Sequence, residues 1–292
     1  MKILLIGANG QVGWECQRSL APLGELIALG RQQLDLTNTQ AIRDNIQHVQ
    51  PDIIVNTAAY TSVDNAEKAP ELAEQINHLA PQIMAAEAAK LAIPLIHYST
   101  DYVFDGETNR AWTEEDKANP QNVYGQTKLA GEQAITETGA VHLILRTSWV
   151  YGERGDNFLL TMRRLATERD HVSVVNDQFG APTWSRDIAE ATAAIIAQGI
   201  DKITAQSGVY HLTAAGKTSW YGFAEVIFNA LAQAGENVAN LAAIPSSEYP
   251  MSAARPAYSC LNNDKLNRAF KVVLPDWETR VKLVMEGLST TA

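Results

Sequence analysis

A short apolar run at residues 3–6 turns at once through Gly7-Ala8-Asn9-Gly10-Gln11-Val12-Gly13 into a helical pattern over residues 12–20. An apolar run of that length closed by glycine fits a parallel strand covered on both faces. Glycine permits a tight bend after such a strand and lets the backbone come close to a pyrophosphate. The helix that follows offers unpaired amides and the positive end of its dipole. The spacing is Gly-x-x-Gly-x-x-Gly, not the more common Gly-x-Gly-x-x-Gly. Set between a buried strand and a helix, it predicts a dinucleotide site at Gly7, Asn9, Gly10, Gln11, Val12 and Gly13.

The alternation continues. Strands are expected at Glu25–Leu29, Ile53–Asn56, 95–98 and 141–145, and helices at Thr39–Val49, 69–90 and 122–138, the second of these with an interruption near Pro81. Strands alternating with helices predict an α/β fold, a Rossmann-type doubly wound parallel sheet with ligands bound beyond the carboxyl ends of its strands. Past residue 151 the rhythm loosens. A short strand is read at 210–212 and helices at 221–234 and 277–288. The expected division is a dinucleotide-binding domain over residues 1–150, receiving segments from about 175–200, and a smaller α/β substrate-binding lobe over 151–292.

With 292 residues and a net charge of −10, the chain has neither the charge nor a basic run for general nucleic-acid binding. Cys16 and Cys260 show no pairing or metal-ligand pattern, and the six histidines are scattered. There is no signal-peptide pattern and no apolar stretch long enough for a bilayer, so no membrane partner and a cytoplasmic location are expected.

Tyr124 and Lys128 lie one helical turn apart on one face. An ammonium held near a tyrosine favours the phenolate and suits the pair to acid–base chemistry on a carbonyl or an alcohol. The second strand runs into Gly30-Arg31 with no acid at its tip. An acid there would bind the ribose hydroxyls of NAD, whereas Arg31 can pair with a 2′-phosphate. The reading is a preference for NADPH, with NADH usable.

With the glycine turn, Thr100 and the Tyr124–Lys128 pair together, the chain resembles an extended short-chain dehydrogenase/reductase. Further segments narrow the match. Residues 56–67 (Asn-Thr-Ala-Ala-Tyr-Thr-Ser-Val-Asp-Asn-Ala-Glu) are similar to a segment of dTDP-4-dehydrorhamnose reductases. So, in order, are residues 99–104, 146–151 and 177–183, and Arg255-Pro256. The resemblance covers essentially the whole chain. It implies NAD(P)H-dependent reduction of the 4-keto group of dTDP-4-dehydro-L-rhamnose, giving dTDP-L-rhamnose.

It also implies roles. Thr100 would hydrogen-bond the substrate carbonyl, Tyr124 would protonate the new C4 oxygen, and Lys128 would lower the tyrosine's pKa and hold the nicotinamide ribose. Asp35 and Leu36 would stand on the adenine side, although Asp35 could equally cap a helix starting near Asn38. Ala58, Ala59 and Tyr60 would line the cofactor channel, with Asn77 satisfying backbone groups beside it. The dTDP-sugar would meet Thr61, Val63, Asp64, Thr100, Tyr102, Tyr124, Trp149 and Arg255. Trp149 also reads as a core tryptophan, and Arg255 as the partner of a surface acid. Some members of that family hold Mg²⁺ in a carboxylate cluster at a dimer interface. Glu15 and Glu286 match parts of it, but Arg186 stands where another carboxylate belongs. A cation there opposes metal binding, so no metal site is expected. A salt-bridged homodimer and a monomer both stay open.

Three rival readings stand beside it. A 4,6-dehydratase needs a glutamate after the Thr-Asp pair, and Tyr102 occupies that place. An epimerase shares the Tyr–Lys pair but keeps its cofactor through the cycle. A non-catalytic NADP-binding subunit, like the β subunit of methionine adenosyltransferase, would bind cofactor without turnover. The cofactor reading is tested by steady-state kinetics with NADPH and NADH: the expected result is an NADPH preference that shrinks in Arg31→Ala. A strong NADH preference, the same in Arg31→Ala, would overturn it.

Overall fold

The computed structural model describes residues 1–289. Its largest sheet holds β1 (Lys2–Ile6), β2 (Glu25–Leu29), β3 (Ile53–Asn56), β4 (Leu95–Thr100), β5 (His142–Thr147) and the strand Gly208–His211. Across the sheet the order is Gly208–His211, β5, β4, β3, β1, β2. Every pairing is parallel. The chain steps from β1 outward to β2 and then crosses back to place β3 on the other side of β1. That reversal opens a crevice beyond the carboxyl ends of β1 and β3, where open α/β sheets bind ligands.

Each residue of β3, β4 and β5 is buried, the reason these strands read as unbroken runs. In β1 the two-residue period sorts side chains by face. Ile3 and Leu5 join one core with Cys16, Leu20, Ile188 and Ile195. These come from α1 (Gln11–Leu20) and the helix Ser185–Ile196. Leu4 and Ile6 join the opposite core with Ile42, Ile46, Met84 and Ile135. That core belongs to α2 (Thr39–Val49), α5 (Ala80–Leu91) and α6 (Val123–Glu137).

Between β3 and α5 lie α3 (Val63–Ala66), α4 (Pro70–Glu74) and a wide π turn, Gln75–Leu79. The irregularity of this stretch is therefore the π turn. Pro81 is not a break, because it sits in the first turn of α5, where a missing N–H is tolerated. The π turn faces α6 so closely that a Cβ on Gly131 would lie 2.1 Å from the Asn77 carbonyl oxygen.

After residue 150 the structure differs from the sequence expectation. The strand read at 210–212 is Gly208–His211, and it pairs with β5 as an edge of the main sheet. A second core gathers Tyr151, Leu159, Phe223, Trp277 and Val281. Around it stand the helices Phe158–Glu168, Trp220–Gln233 and Trp277–Ser289 and the parallel pair His171–Val175 and Asn240–Ile244. Among the described residues no helix is long and apolar enough to cross a membrane.

One buried ion pair locks α6 to the sheet. Arg146 of β5 donates from Nε and Nη2 to Glu132 at 2.9 and 2.6 Å. The two side chains are 7% and 4% exposed. Removing one partner of such a pair strands the other charge, at a cost of about 3–5 kcal/mol. Glu132→Gln keeps the shape and is expected to lower unfolding free energy by that order in a denaturant titration. A change below about 1 kcal/mol would show that the pair is not what holds α6.

Candidate active site

The glycine turn is built by close backbone approach. Gly7 has φ +88°, and a Cβ there would lie 2.6 Å from the Ala58 amide nitrogen. A Cβ on Gly13 would fall 2.1 Å from the Gly7 carbonyl oxygen. The Gly7 and Ala8 amides donate to the Leu29 carbonyl at 2.9 and 3.1 Å, which ties the turn to the end of β2. Gly10 stands at the N-cap of α1 with no side-chain cap, so Gln11, Val12 and Gly13 present the first-turn amides. A Cβ on Gly10 would meet only the Gly7 carbonyl oxygen, at 3.4 Å. Uncapped amides beside open space fit the pyrophosphate of a nucleotide cofactor. The neighbouring cavity of about 270 Å³ is lined by Asn9, Gly10, Gln11, Trp14, Arg154 and Gly155. Arg154 lies 3.8 Å from the centre of the Trp14 ring. Neither Trp14 nor Arg154 was picked out from the sequence, because the two meet only in three dimensions.

At the tip of β2, Arg31 is exposed and Gly30 packs on the Asn9 side chain. Asp35 accepts from the Thr37 amide and hydroxyl at 3.0 and 2.9 Å. The helix cap considered for it falls instead to Asn38, which accepts from the Ala41 amide at 3.0 Å. Leu36 is buried. Beyond β3, Ala58, Ala59 and Tyr60 follow the crevice half-buried. Asn77, fully buried, satisfies the backbone there. It accepts from the Tyr60 amide at 2.8 Å and donates to the Tyr60 carbonyl at 3.1 Å and to Thr127 Oγ1 at 3.2 Å.

Thr100 ends β4, and Tyr124 and Lys128 lie on α6, whose N-cap Asn122 accepts from the Gly125 amide at 2.8 Å. Burial pushes the Tyr124 hydroxyl up to about 12, with the Thr100 hydroxyl drawing it down and the Asp101 carboxylate adding to the rise. Lys128 is not among the causes of that shift. Its ammonium end is turned away, to the Tyr98 carbonyl at 2.7 Å and His97 Nε2 at 3.2 Å. Burial brings Lys128 down to about 8, partly opposed by Glu132. Tyr124 thus stands as a protonated phenol, a weaker acid than a free tyrosine. Thr100 itself donates to Asp101 Oδ1 at 3.1 Å and accepts from the Tyr102 amide at 3.2 Å. Burial raises Asp101 to about 6 against hydrogen bonds from Ser259 and Thr100.

The residues assigned to the sugar nucleotide come together in part. Tyr102 meets Tyr124 edge to face, with ring centres 5.6 Å apart. Asp64 pairs with Arg255 at 2.8 Å and accepts from the Ala253 amide at 3.0 Å. The acid that Arg255 meets is thus another residue of the same set. Thr61 is exposed and Val63 half-buried at the start of α3. Trp149 stacks on Trp220, ring centres 3.6 Å apart, and packs on Gly180. Its φ of +46° is unusual for a bulky residue and marks a backbone held by its surroundings.

Arg186 bridges Glu15 at 3.1 Å and Glu153 at 3.0 Å. Burial opposes its charge, but these carboxylates raise its pKa further. The arginine thus offsets the charge of both carboxylates.

Comparison with known proteins bears on the whole chain. A family described as "RmlD substrate binding domain" matches residues 1–290. A dTDP-4-dehydrorhamnose reductase of Escherichia coli is 47% identical, over 100% of this chain and 99% of its own. The crystal structure of a dTDP-4-dehydrorhamnose reductase from Clostridium acetobutylicum superimposes with a TM-score of 0.91 at 37% identity, covering 99% of both chains. One from Bacillus anthracis, in complex with NADP, gives 0.89 at 34% identity, covering 98% of this chain and 99% of that one. Matched from end to end by that family and by these reductases, the chain belongs to the dTDP-4-dehydrorhamnose reductase family.

Proposed function

We propose that this protein reduces the 4-keto group of dTDP-4-dehydro-β-L-rhamnose to give dTDP-L-rhamnose, the last step in making that sugar nucleotide. The observation that carries the reading is a half-buried Tyr124, its hydroxyl held as a phenol, beside Thr100 at the end of β4, one sheet position from the crevice at β3 and β1. Family membership supplies the substrate class.

A bound reduced nicotinamide dinucleotide supplies the hydride to C4 of the sugar. The chain's own residues do the rest. The α1 amides and the Gly7–Gly13 turn hold the pyrophosphate, and Arg31 takes a 2′-phosphate, in keeping with the NADP bound by the Bacillus anthracis relative. Thr100 hydrogen-bonds the carbonyl oxygen, and the bond strengthens as negative charge develops there. Tyr124, kept as a phenol by burial, gives its proton to that oxygen. Lys128 leaves the Tyr98 carbonyl to hold the cofactor's ribose and to lower the cost of the phenolate that remains. Thr61, Val63, Tyr102 and Trp149 shape the sugar pocket, and Arg255 meets the diphosphate.

The test is an assay of NADPH oxidation with dTDP-4-dehydrorhamnose, with Tyr124→Phe as the variant. Turnover is expected to fall by about a hundredfold or more, with cofactor affinity largely kept, because the hydroxyl acts mainly in the transition state. Unchanged turnover in Tyr124→Phe would refute the proton-donor role. Cofactor binding with no oxidation by the parent protein would favour a non-catalytic binding subunit.

A further inference from the structure

The loop that follows residue 151 brings an arginine to the mouth of the glycine turn. It runs from Gly152 to Asn157, the N-cap of the helix Phe158–Glu168. The Asn157 side chain ties it down on three sides. Its Oδ1 accepts from the Leu160 amide at 3.1 Å, and its Nδ2 donates to the Gly152 carbonyl at 3.0 Å and to Gln11 Oε1 at 3.1 Å. Gln11 is the first residue of α1. Gly155, with φ +72°, passes the same side chain, and a Cβ there would lie 3.4 Å from Gln11 Cγ. The loop is thus fastened to the first turn of α1, with Arg154 in its middle.

Arg154 shares the cavity of about 270 Å³ with Gly10 and Gln11 of that turn. Its guanidinium rests 3.8 Å from the centre of the Trp14 ring. Among the described residues the side chain meets that ring and neither a hydrogen-bond acceptor nor a carboxylate partner. The adjacent Glu153 is taken instead by Arg186, at 3.0 Å. A ring face attracts a cation but accepts none of its N–H groups in the plane of the fork, so those donors stay free for an anion. A guanidinium already seated on a platform also loses less freedom when a ligand arrives.

The amides at the start of α1 carry only a partial positive charge, whereas a dinucleotide bears a negative charge on each phosphate of its pyrophosphate. The chain as a whole has a net charge of −10, so a local cation is needed to offset them. We propose that Arg154, carried on Trp14, is a cofactor-binding residue that pairs with the pyrophosphate of the nicotinamide dinucleotide, opposite the α1 amides. The pyrophosphate is common to NADPH and NADH, so Arg154 serves both, in contrast to the role given to Arg31. The inference rests on the dinucleotide reading of the glycine turn and not on the identity of the sugar.

The test is calorimetric titration of the full-length protein with no sugar present, comparing the parent with Arg154→Ala and Arg154→Lys. The ligands are NADPH, NADH and adenosine 2′-monophosphate, which has the adenine and the 2′-phosphate but no pyrophosphate. Arg154→Ala is expected to raise the Kd of NADPH and of NADH alike, by about tenfold, and to leave the monophosphate unchanged. Arg154→Lys keeps the charge and should recover part of the loss. Unchanged dinucleotide affinity in Arg154→Ala would overturn the inference, as would a lysine no better than alanine. A loss confined to NADPH would place the arginine at the 2′-phosphate instead, and an equal loss of the monophosphate would mark a general disturbance of the site; either overturns it. A parent that bound neither dinucleotide would bring down the cofactor reading of the turn, and this inference with it.

Discussion

The site depends on how closely three backbones meet at the end of β1. The strand leaves through Gly7, α1 starts by passing Gly13 over the Gly7 carbonyl, and the chain leaving β3 brings Ala58 against Gly7. Thr57 Oγ1 donates to the Ile6 carbonyl at 2.9 Å and bridges the same junction. A side chain at Gly7 or Gly13 would push these segments apart. The α1 amides would then no longer open onto the crevice that the strand order creates. The convergence of the carboxyl ends of β1, β2 and β3 on one crevice follows from that packing.

Along the strands the sheet changes character. Its middle is apolar on both faces, while its carboxyl end holds buried polar groups: Asn56, His97, Thr100, Asp101 and Arg146. These groups are costly unless paired, and each pairing orients the next. Arg146 fixes Glu132 and with it the face of α6 that carries Tyr124 and Lys128. The reactive cluster is rigid because it is continuous with the groups that hold the helix to the sheet.

The first half of the fold was legible because the β1, β3, β4 and β5 runs are buried on both faces and separated by helices of ordinary length. Legibility fell after residue 150 for a physical reason. Strands such as Phe179–Gly180 and Thr183–Trp184 have two residues each, too few for any period to register. The strand Gly208–His211 owes its place to β5, some sixty residues earlier, and nothing local announces that partner. Of the site, Thr100, Tyr124 and Lys128 could be found because their residue types suit carbonyl chemistry. His97 reads in the sequence only as one of six scattered histidines. The available signal was a polar Asn56 closing an apolar strand and a histidine in the middle of a buried one.

The Asp64–Arg255 pair joins α3 to the loop near residue 255 across almost two hundred positions of sequence. Burial works against the Asp64 carboxylate, but the Ala253 amide and the Arg255 charge keep its pKa below the usual range. The acid therefore stays ionised at neutral pH and competes for the guanidinium. An incoming anion must outbid it. A neutral sugar has nothing with which to do so, and a doubly charged diphosphate has the advantage of a second charge. Under the role proposed for Arg255, this half-exposed carboxylate would set a threshold that charge must cross before shape is read.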